Sequence, residues 1–311
     1  MPAVSVIMPA YNCGPFVAKA IESILGQTFI DFELIVCDDG SDDNTWDVIQ
    51  SYTDGRIRKY RNDVNKGYLA TYNYLLTLTA GPLITCQDAD DWSLPRRLEL
   101  QYEILSKYKD VYLCGVNGVF YYSDNVVKPC SPFESGYVTN TGRNFPFILA
   151  AIMYRKEVLE TVKGFHPYFD RQTSMDQYFI MDVLSHYKGY AINEYLYYAR
   201  TNPGSNHRTF VPGRKLTAHE AFLLLQRQRI STGSDWLMEN KQNELLKYEE
   251  SFLHNRKFMA EKYREYGAYR IDGGSPSSAF PLLAKAWLLN PLHGLTYRTF
   301  VYWFRKMIGS Q

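Results

Sequence analysis

The chain has no long apolar run and almost no net charge. Its longest apolar stretch, Phe147 to Tyr154, is far shorter than the roughly 20 residues that a membrane-spanning helix needs. The 34 Lys and Arg nearly equal the 33 Asp and Glu, so charge gives no basis for nucleic-acid binding. An apolar run begins at Ala3, which leaves no room for a signal peptide. We therefore expect a soluble cytoplasmic protein without a nucleic-acid partner.

Cysteine is sparse, and its spacing favours neither disulfides nor a zinc site. The five cysteines, at positions 13, 37, 86, 114 and 130, are odd in number and form no C-x-x-C pair. Cys37 and Cys86 fall inside predicted core strands. We expect both to be small buried hydrophobic residues in a reducing compartment.

Three familiar catalytic motifs are also missing. No G-x-G-x-x-G follows a predicted strand, and there is no G-x-x-x-x-G-K-[ST] and no H-E-x-x-H. These absences argue against a dinucleotide oxidoreductase, a P-loop kinase and a zinc peptidase.

Two apolar segments near the start of the chain have the pattern of buried parallel strands. The first runs from Ala3 to Met8 and ends in Pro9-Ala10-Tyr11-Asn12, and the second runs from Glu33 to Cys37 and ends in Asp38-Asp39-Gly40-Ser41. Near-continuous β-branched runs are typical of parallel strands that are covered on both faces. Each is followed by apolar residues at helical spacing. The alternation predicts an α/β fold with a mostly parallel central sheet and right-handed crossovers.

A third strand ends in a cluster of carboxylates. Residues 82–87 form a short, mainly apolar run, and Asp88-Ala89-Asp90-Asp91 follows directly. An acidic surface turn is one interpretation. The other is a ligand site, because ligands of open α/β sheets bind outside the carboxyl ends of the strands. Carboxylates two residues apart can share one hard cation that in turn clamps a diphosphate. The similar ends of the two earlier strands favour the ligand site.

These motifs, taken in order, resemble family 2 glycosyltransferases. The resemblance is carried by Val4–Asn12, Val36–Asp43, Asn65-Lys66-Gly67 with Asn73, and Asp88–Asp91 with Pro95 and Arg97. It is strong over residues 3–105, weaker to about 210, and absent beyond. It implies an inverting enzyme of the GT-A fold that uses a nucleotide-diphosphate sugar as donor.

The resemblance implies which residues bind the nucleotide. It assigns Pro9, Ala10, Tyr11 and Asp39 to the uracil and ribose, and a carboxylate such as Asp39 can accept the uracil N3–H. The donor-binding set further includes Asn12, Asp38, Asn65, Lys66, Gly67, Asp88, Ala89 and Asp90. Two plainer interpretations stay open: residues 38–41 form an ordinary turn, and Lys66 is a solvated surface charge.

The resemblance also implies a divalent cation. Asp90 would bind Mn²⁺ or Mg²⁺ directly, while Asp88 would contact the ribose or a metal-bound water. The ion would act as a Lewis acid on the leaving diphosphate. His207 is a further candidate ligand, with an exposed histidine as the alternative. Asp91 is expected to cap the following helix.

One carboxylate must accept the acceptor's proton in an inverting transfer. The family places an Asp at the start of a helix in the second half, and Asp176 matches that position here. The family's usual preceding Glu is replaced by Met175. Asp170 is the main rival, Asp182 is expected to point elsewhere, and a capping role for Asp176 remains open.

The sequence predicts two parts. Residues 1–212 form the GT-A domain, with a nucleotide-binding half to about 105 and an acceptor half from 106, and residues 213–311 form an α-helical extension. A long loop is expected at 123–146 and should shape the acceptor side. Aromatic and basic residues alternate within 295–306, which predicts either peripheral contact with an anionic membrane or packing within the extension.

The combined prediction is a metal-dependent inverting glycosyltransferase. It would move a sugar from a UDP-sugar to a hydroxyl of a glycan or lipid-linked acceptor, in bacterial surface polysaccharide synthesis at the inner face of the plasma membrane. A sugar nucleotidyltransferase is the alternative enzyme, but those usually carry a Gly- and Arg-rich loop where this chain has Tyr11 to Gly14. A non-catalytic scaffold is the other alternative, and the intact Asp39, Asp88, Asp90 and Asp176 argue against it. The oligomeric state is not indicated.

Overall fold

The computed structural model describes residues 1–122, 127–139, 145–201, 211, 213–273 and 275–308. The chain divides into two compact units, Met1–Arg200 and Thr201–Gln311. The first unit therefore ends at Arg200, whereas the sequence places the boundary at 212.

Within its described residues, the first unit is built around a ten-stranded sheet. Its strands are β1 Val4–Ala10, β2 Phe32–Asp38, β3 Ile57–Arg61, β4 Leu83–Cys86, β5 Trp92–Ser93, β6 Val111–Tyr122, β7 Val127–Pro129, β8 Gly136–Val138, β9 Ile152–Arg155 and β10 Lys188–Thr201. Its helices are α1 Gly14–Leu25, α2 Thr45–Ser51, α3 Tyr68–Leu78, α4 Arg97–Lys107, α5 Val158–Thr161 and α6 Met175–His186.

The sheet is parallel in one half and mixed in the other. Its order is β3-β2-β1-β4-β9-β6-β10-β5, with β7 paired to β6 and β8 to β10. The neighbours among β3, β2, β1 and β4 run parallel, as the sequence predicts. Strand β9 is inserted between β4 and β6 and runs antiparallel to both. The predicted mostly parallel sheet is therefore limited to these first four strands, because apolar periodicity does not reveal which strand pairs with which.

The core of the first unit follows the apolar pattern of the sequence. Every residue of β1 and β2 is buried, and α1 covers them with Val17, Ala20, Ile21 and Ile24. Cys37 and Cys86 are buried free thiols, so their predicted burial is confirmed. Burial raises the pKa of the Cys37 thiol to about 12, so this thiol stays protonated and behaves as an apolar residue.

The long loop predicted at 123–146 contains regular structure. Within the described residues of this segment, β7 pairs with β6 and β8 pairs with β10, both antiparallel. The prediction of an irregular loop is wrong for these residues, because three-residue strands are too short to show an alternating pattern.

The second unit is helical. It comprises α7 Ala218–Thr232, α8 Gln242–Leu253, α9 Arg256–Asp272, α10 Pro276–Leu289 and α11 Gly294–Ile308. Helices α8 and α9 are separate, although only two residues lie between them. Asn255 begins the second of them, because its side chain accepts hydrogen bonds from the backbone N–H groups of Lys257 and Phe258. Among the described residues, no helix combines the length and apolarity that a membrane span requires.

Gly118 allows β6 to lie close to β10, and this predicts a test of the packing. A Cβ at Gly118 would meet the backbone carbonyl of Tyr197 at 2.5 Å and the Ile148 side chain. Since a backbone carbonyl in a sheet cannot easily move, Gly118→Ala should lower the free energy of unfolding by about 1–3 kcal/mol. Urea unfolding followed by tryptophan fluorescence measures this.

Gly136 provides the matched control. It also lies in a strand, but a Cβ there would meet no atom within 4 Å. Gly136→Ala should leave the urea midpoint nearly unchanged. Equal stability of the Gly118→Ala variant and the parent would contradict the close approach of β6 and β10.

Candidate active site

The loops that follow β1 and β2 are joined by hydrogen bonds. The backbone N–H of Asn12 donates to Ser41 Oγ over 2.9 Å, and the N–H of Asp42 donates to Asn12 Oδ1 over 2.9 Å. The N–H of Gly14 donates to Asp43 Oδ2 over 3.0 Å. Asn12 also adopts a left-handed conformation, with φ of 48°. Asn12, which the sequence predicts to bind the nucleotide-sugar donor, therefore links the loops that follow β1 and β2.

Asp39 is buried, and its carboxylate organises the loop that follows β3. Oδ1 accepts from Asn62 Nδ2 at 2.7 Å and from the N–H of Lys66 at 3.0 Å, and Oδ2 accepts from the N–H of Gly67 at 2.9 Å. Gly67 has φ of 94°, which favours glycine. Two ionised carboxylate oxygens offer about four acceptor positions, so one remains for a further donor.

The other residues predicted to bind the nucleotide differ in exposure. Pro9 and Ala10 are buried in β1, whereas the Tyr11 side chain is 45% exposed at the end of that strand. Lys66 is exposed, and Asn65 is half-buried. Tyr11 thus presents an exposed aromatic surface at the end of β1.

Asp38 does not face the same way as Asp39. Its side chain is fully buried, Oδ1 accepts from the N–H and the hydroxyl of Ser41, and Arg61 Nε lies 3.1 Å from Oδ2. These contacts stabilise the turn at residues 38–41. For Asp38 the structure supports the ordinary-turn interpretation that the sequence left open.

Asp88 lies at the centre of the carboxylate cluster after β4. Its Oδ1 accepts a hydrogen bond from the Tyr68 hydroxyl at 2.8 Å, and its backbone N–H donates to the Tyr197 hydroxyl at 3.2 Å. Burial and then the charges of Asp90 and Asp176 raise the pKa of Asp88 to about 7. The Asp88 carboxyl group is consequently harder to ionise than that of an exposed aspartate.

Arg200 contacts the backbone of Asp90 and the carboxylate of Asp91. Burial raises the pKa of Asp90, and Arg200 Nε donates to the Asp90 carbonyl at 2.9 Å. The backbone N–H of Arg200 donates to Asp91 Oδ1 at 2.6 Å. The prediction that Asp91 caps the next helix is wrong, because α4 begins at Arg97 and Arg96 occupies its cap position. Asp91 instead ties the cluster to the end of β10.

A buried arginine side chain lies near the carboxylate cluster. Arg97 is completely buried, and its Nη1 donates to the carbonyl of Cys86 at 3.0 Å. Its Nε and Nη2 have no hydrogen-bond partner among the described residues. Burial lowers the pKa of Arg97 to about 10, and its positive charge in turn lowers that of Asp88. Sequence reasoning gave this residue no role, and missed Tyr68 and Arg200 altogether.

Asp176 stands in the first turn of α6. Ser174, just before this helix, has φ of 68°, and Asp176 Oδ1 accepts from the N–H of Gln177 at 2.8 Å. The Asp176 charge raises the pKa of Asp88, so the two carboxylates interact electrostatically. Of the rivals, Asp170 is exposed, and Asp182 lies 4.0 Å from His186 Nε2.

Aromatic stacking explains how α6 comes close to the end of β4. Phe165, in the loop before α6, stacks on Tyr72 at 4.0 Å and Tyr68 at 6.3 Å between ring centroids, and it packs edge-on against Phe179 at 5.6 Å. The Asn73 side chain exchanges two hydrogen bonds of 2.9 Å with the backbone of Phe165. This packing joins α3, which carries Tyr68, to the segment that carries Asp176.

The described residues contain no group of three or more His, Cys, Asp or Glu side chains arranged to hold a metal ion. His207 lies outside these residues, so the prediction for it stays open. Asp88 and Asp90 are nevertheless suited to a hard cation, since both are half-buried carboxylates with raised pKa values. Mg²⁺ is commonly held by one or two carboxylates, with substrate phosphates and waters completing its shell.

Comparison with known sequences gives a consistent result. The family model for glycosyl transferase family 2 matches residues 5–163. The putative glycosyltransferase EpsE of Bacillus subtilis is 34% identical over 207 residues, which cover 64% of this chain and 73% of EpsE. The UDP-Glc:alpha-D-GlcNAc-diphosphoundecaprenol beta-1,3-glucosyltransferase WfgD of Escherichia coli is 36% identical over 112 residues, which cover 36% of this chain and only 44% of WfgD.

Solved structures with similar folds extend the comparison to most of the chain. Staphylococcus aureus TarS 1–349 in complex with UDP has a TM-score of 0.61 and 16% identity, and the match covers 99% of this chain and 92% of that one. The mannosyltransferase PcManGT from Pyrobaculum calidifontis, in complex with GDP-Man and Mn²⁺, has a TM-score of 0.54 and 16% identity, and the match covers 99% and 86%. The likeness confirms the predicted α/β fold class of GT-A type.

The raised pKa of Asp88 predicts how stability depends on pH in metal-free buffer. Between the ordinary Asp value of 3.8 and about 7, the folded protein holds a proton that the unfolded chain has lost. The Asp88 contribution to stability therefore falls as the pH rises through this window. Relative to the parent, Asp88→Asn should gain stability between pH 4.5 and 7.5, as measured from urea midpoints with EDTA present.

Asp31→Asn is the control for this experiment, because Asp31 is an exposed carboxylate that precedes β2, whereas the cluster lies beyond the carboxyl ends of the strands. Its midpoint should follow that of the parent across the pH range. A constant difference between Asp88→Asn and the parent at every pH would show that Asp88 has an ordinary pKa.

Proposed function

The chain belongs to glycosyl transferase family 2 and is a glycosyltransferase, and from that premise we propose that it transfers a hexose from a UDP-sugar with inversion at the anomeric carbon. One observation carries the proposal: Phe165, in the loop before α6, stacks on Tyr68, and the Tyr68 hydroxyl donates to Asp88. This packing links the helix that carries the candidate base Asp176 to the cluster that would hold the donor diphosphate. A donor on Asp88 and Asp90 would thus lie near a carboxylate that can accept the acceptor's proton.

The donor is proposed to bind across the ends of β1, β2 and β4. The exposed Tyr11 ring offers a surface for the base, and the remaining acceptor position on Asp39 suits the uracil N3–H. The loop at Asn65, Lys66 and Gly67 would contact the nucleotide on its ribose side. The UDP in the TarS complex and the UDP-Glc in the name of WfgD support uridine as the nucleotide. The GDP-Man in the PcManGT complex makes guanosine the competing choice.

A divalent cation, Mn²⁺ or Mg²⁺, is proposed to act together with the donor. Asp90 and Asp88 would hold it, and the donor's phosphate oxygens and water molecules would complete its coordination shell. When bound, the ion supplies Lewis-acid stabilisation of the leaving diphosphate. The chain itself contributes Asp88 and Asp90, whose pKa values are raised. A nearby cation favours the ionised form of a carboxyl group, so both would lose their protons more readily when the ion is bound.

Asp176 is proposed as the general base. In an inverting transfer, the acceptor oxygen attacks the anomeric carbon while its proton passes to a carboxylate, and the bond from that carbon to the diphosphate oxygen breaks. The half-buried Asp176 at the start of α6 meets this requirement. The left-handed Ser174 two residues earlier sets the entry into α6, and so the position of this carboxylate.

The acceptor is proposed to be a hydroxyl of a glycan or a lipid-linked saccharide, bound by the half of the first unit that begins at about residue 106. The name of WfgD states a sugar on diphosphoundecaprenol, which supports a lipid-linked acceptor in bacterial surface polysaccharide synthesis. Such an acceptor would place the enzyme in the cytoplasm at the inner face of the plasma membrane. The C-terminal segment is proposed to make a peripheral contact with that membrane. No observation favours the nucleotidyltransferase or the scaffold.

Asp90→Asn tests the donor site. It should remove the Mn²⁺-dependent gain in UDP affinity, a loss of about 10- to 100-fold, because the neutral amide loses its charged interaction with the cation. Titration calorimetry with UDP, in the presence and absence of Mn²⁺, measures this. Asp182→Asn should keep the metal-dependent gain, and an unchanged gain in Asp90→Asn would exclude this residue from the metal site.

Asp176→Asn tests the base. The amide keeps the size of the side chain but cannot take a proton, so turnover should fall by about 10²–10⁴-fold with UDP affinity nearly unchanged. Mn²⁺-dependent hydrolysis across a panel of UDP-hexoses, with water as acceptor, gives the rate without a known acceptor. Parental activity of Asp176→Asn, together with inactivity of Asp170→Asn or Asp182→Asn, would assign the base to one of those residues.

A further inference from the structure

The C-terminal helices carry positive charge without any negative charge. After Asp272 the sequence contains four of the chain's 34 Lys and Arg residues and none of its 33 Asp and Glu residues. The four are Lys285 on α10 and Arg298, Arg305 and Lys306 on α11. The whole chain is nearly neutral, but the segment after Asp272 carries only positive charges.

One face of α11 is anchored within its own unit. Thr296 and Thr299 are buried, and Phe300 and Trp303 pack on a small core formed by Ile271, Ala279 and Leu283. Trp303 Nε1 also donates a hydrogen bond of 2.7 Å to the carbonyl of Pro276. These contacts hold α11 on α9 and α10, so its opposite face is presented in a defined orientation.

The opposite face of α11 is apolar and exposed. Tyr297 is 71% exposed, Phe304 58% and Ile308 60%, and Val301 is half-buried. Their spacing of four, three and four residues places them in one stripe along the helix. An open groove of about 690 Å³ runs along this helix and is lined by Phe300, Val301, Trp303, Phe304, Arg305 and Ile308.

Charge decides which partner suits this stripe. At 100° per residue, Arg298 and Arg305 lie on the same side of the stripe, within about a sixth of a turn of Val301. A second copy of the chain would bring the same cations against them, and the segment offers no carboxylate to pair with. An anionic lipid surface supplies both an apolar layer and negative headgroups.

We propose that the outer face of α11, formed by Tyr297, Val301, Phe304 and Ile308 with Arg298 and Arg305, binds the surface of an anionic lipid bilayer. The helix is 15 residues long, or about 22 Å, and therefore lies in the plane of the interface rather than across the membrane. This inference rests on, and deepens, the membrane contact in the proposed function by naming the binding face and the lipid charge. It does not depend on the transfer chemistry.

Vesicle flotation tests the proposal with the full chain. The parent should bind vesicles of phosphatidylcholine with phosphatidylglycerol, and should bind pure phosphatidylcholine and high-salt samples much more weakly. Arg298→Gln combined with Arg305→Gln should weaken binding about 30-fold at low salt, from about 1 kcal/mol per charge. Phe304→Ser should weaken it about 10- to 100-fold.

Matched controls lie on helices α7 and α8. Ile230→Ser removes an exposed apolar side chain, and Lys247→Gln removes an exposed charge, so both should bind like the parent. Binding that is equal for charged and neutral vesicles, or unaffected by the α11 variants, would overturn the proposal. A parental dimer that Phe304→Ser converts to a monomer, seen by light scattering, would overturn it in favour of a second copy.

Titration with UDP on the same samples separates the two proposals. The α11 variants should keep parental UDP affinity, since none of their residues belongs to the donor site. Asp90→Asn should float with vesicles like the parent. A parent that binds no UDP, together with α11 variants that bind vesicles more weakly than the parent, would support the proposed membrane-binding face and exclude UDP-sugar as the donor.

Discussion

Repulsion among the carboxylates at the end of β4 is the interaction on which the rest of the site depends. Asp88, Asp90 and Asp91 follow one another closely in a partly buried loop, and burial raises the pKa of each. Such a loop is stable only if its charges are protonated, neutralised or held by donors. The surrounding structure supplies donors and one buried cation, and a bound metal ion would supply the remaining positive charge.

The groups that hold the cluster come from distant parts of the chain. Tyr68 on α3 donates to the Asp88 carboxylate, Arg200 at the end of β10 contacts both Asp90 and Asp91, and Arg97 on α4 lies buried below. Each therefore couples the site to a different element. The close approach of β6 and β10 that Gly118 allows matters for the same reason, since Tyr197 on β10 also contacts Asp88.

Much of the fold was predictable because it depends on local pattern. The apolar runs of β1, β2 and β4 are buried parallel strands, and their carboxyl ends carry the predicted motifs. The position of β9 could not be predicted in this way, because its insertion between β4 and β6 depends on strand pairing, which composition does not reveal. Asp91 was misassigned for a similar reason: its partner is a backbone N–H more than a hundred residues away.

The sequence by itself determined the family, the α/β class and the carboxylates at the strand ends, because residue type and spacing along the chain carry that information. Only the tertiary structure decided what each carboxylate contacts. Asp38 and Asp39 are adjacent in sequence, yet one supports a turn and the other organises the loop at Lys66 and Gly67. Asp38 is the last residue of β2 and Asp39 the first residue of the loop after it, so these neighbours in sequence meet different surroundings, which only the packed fold supplies.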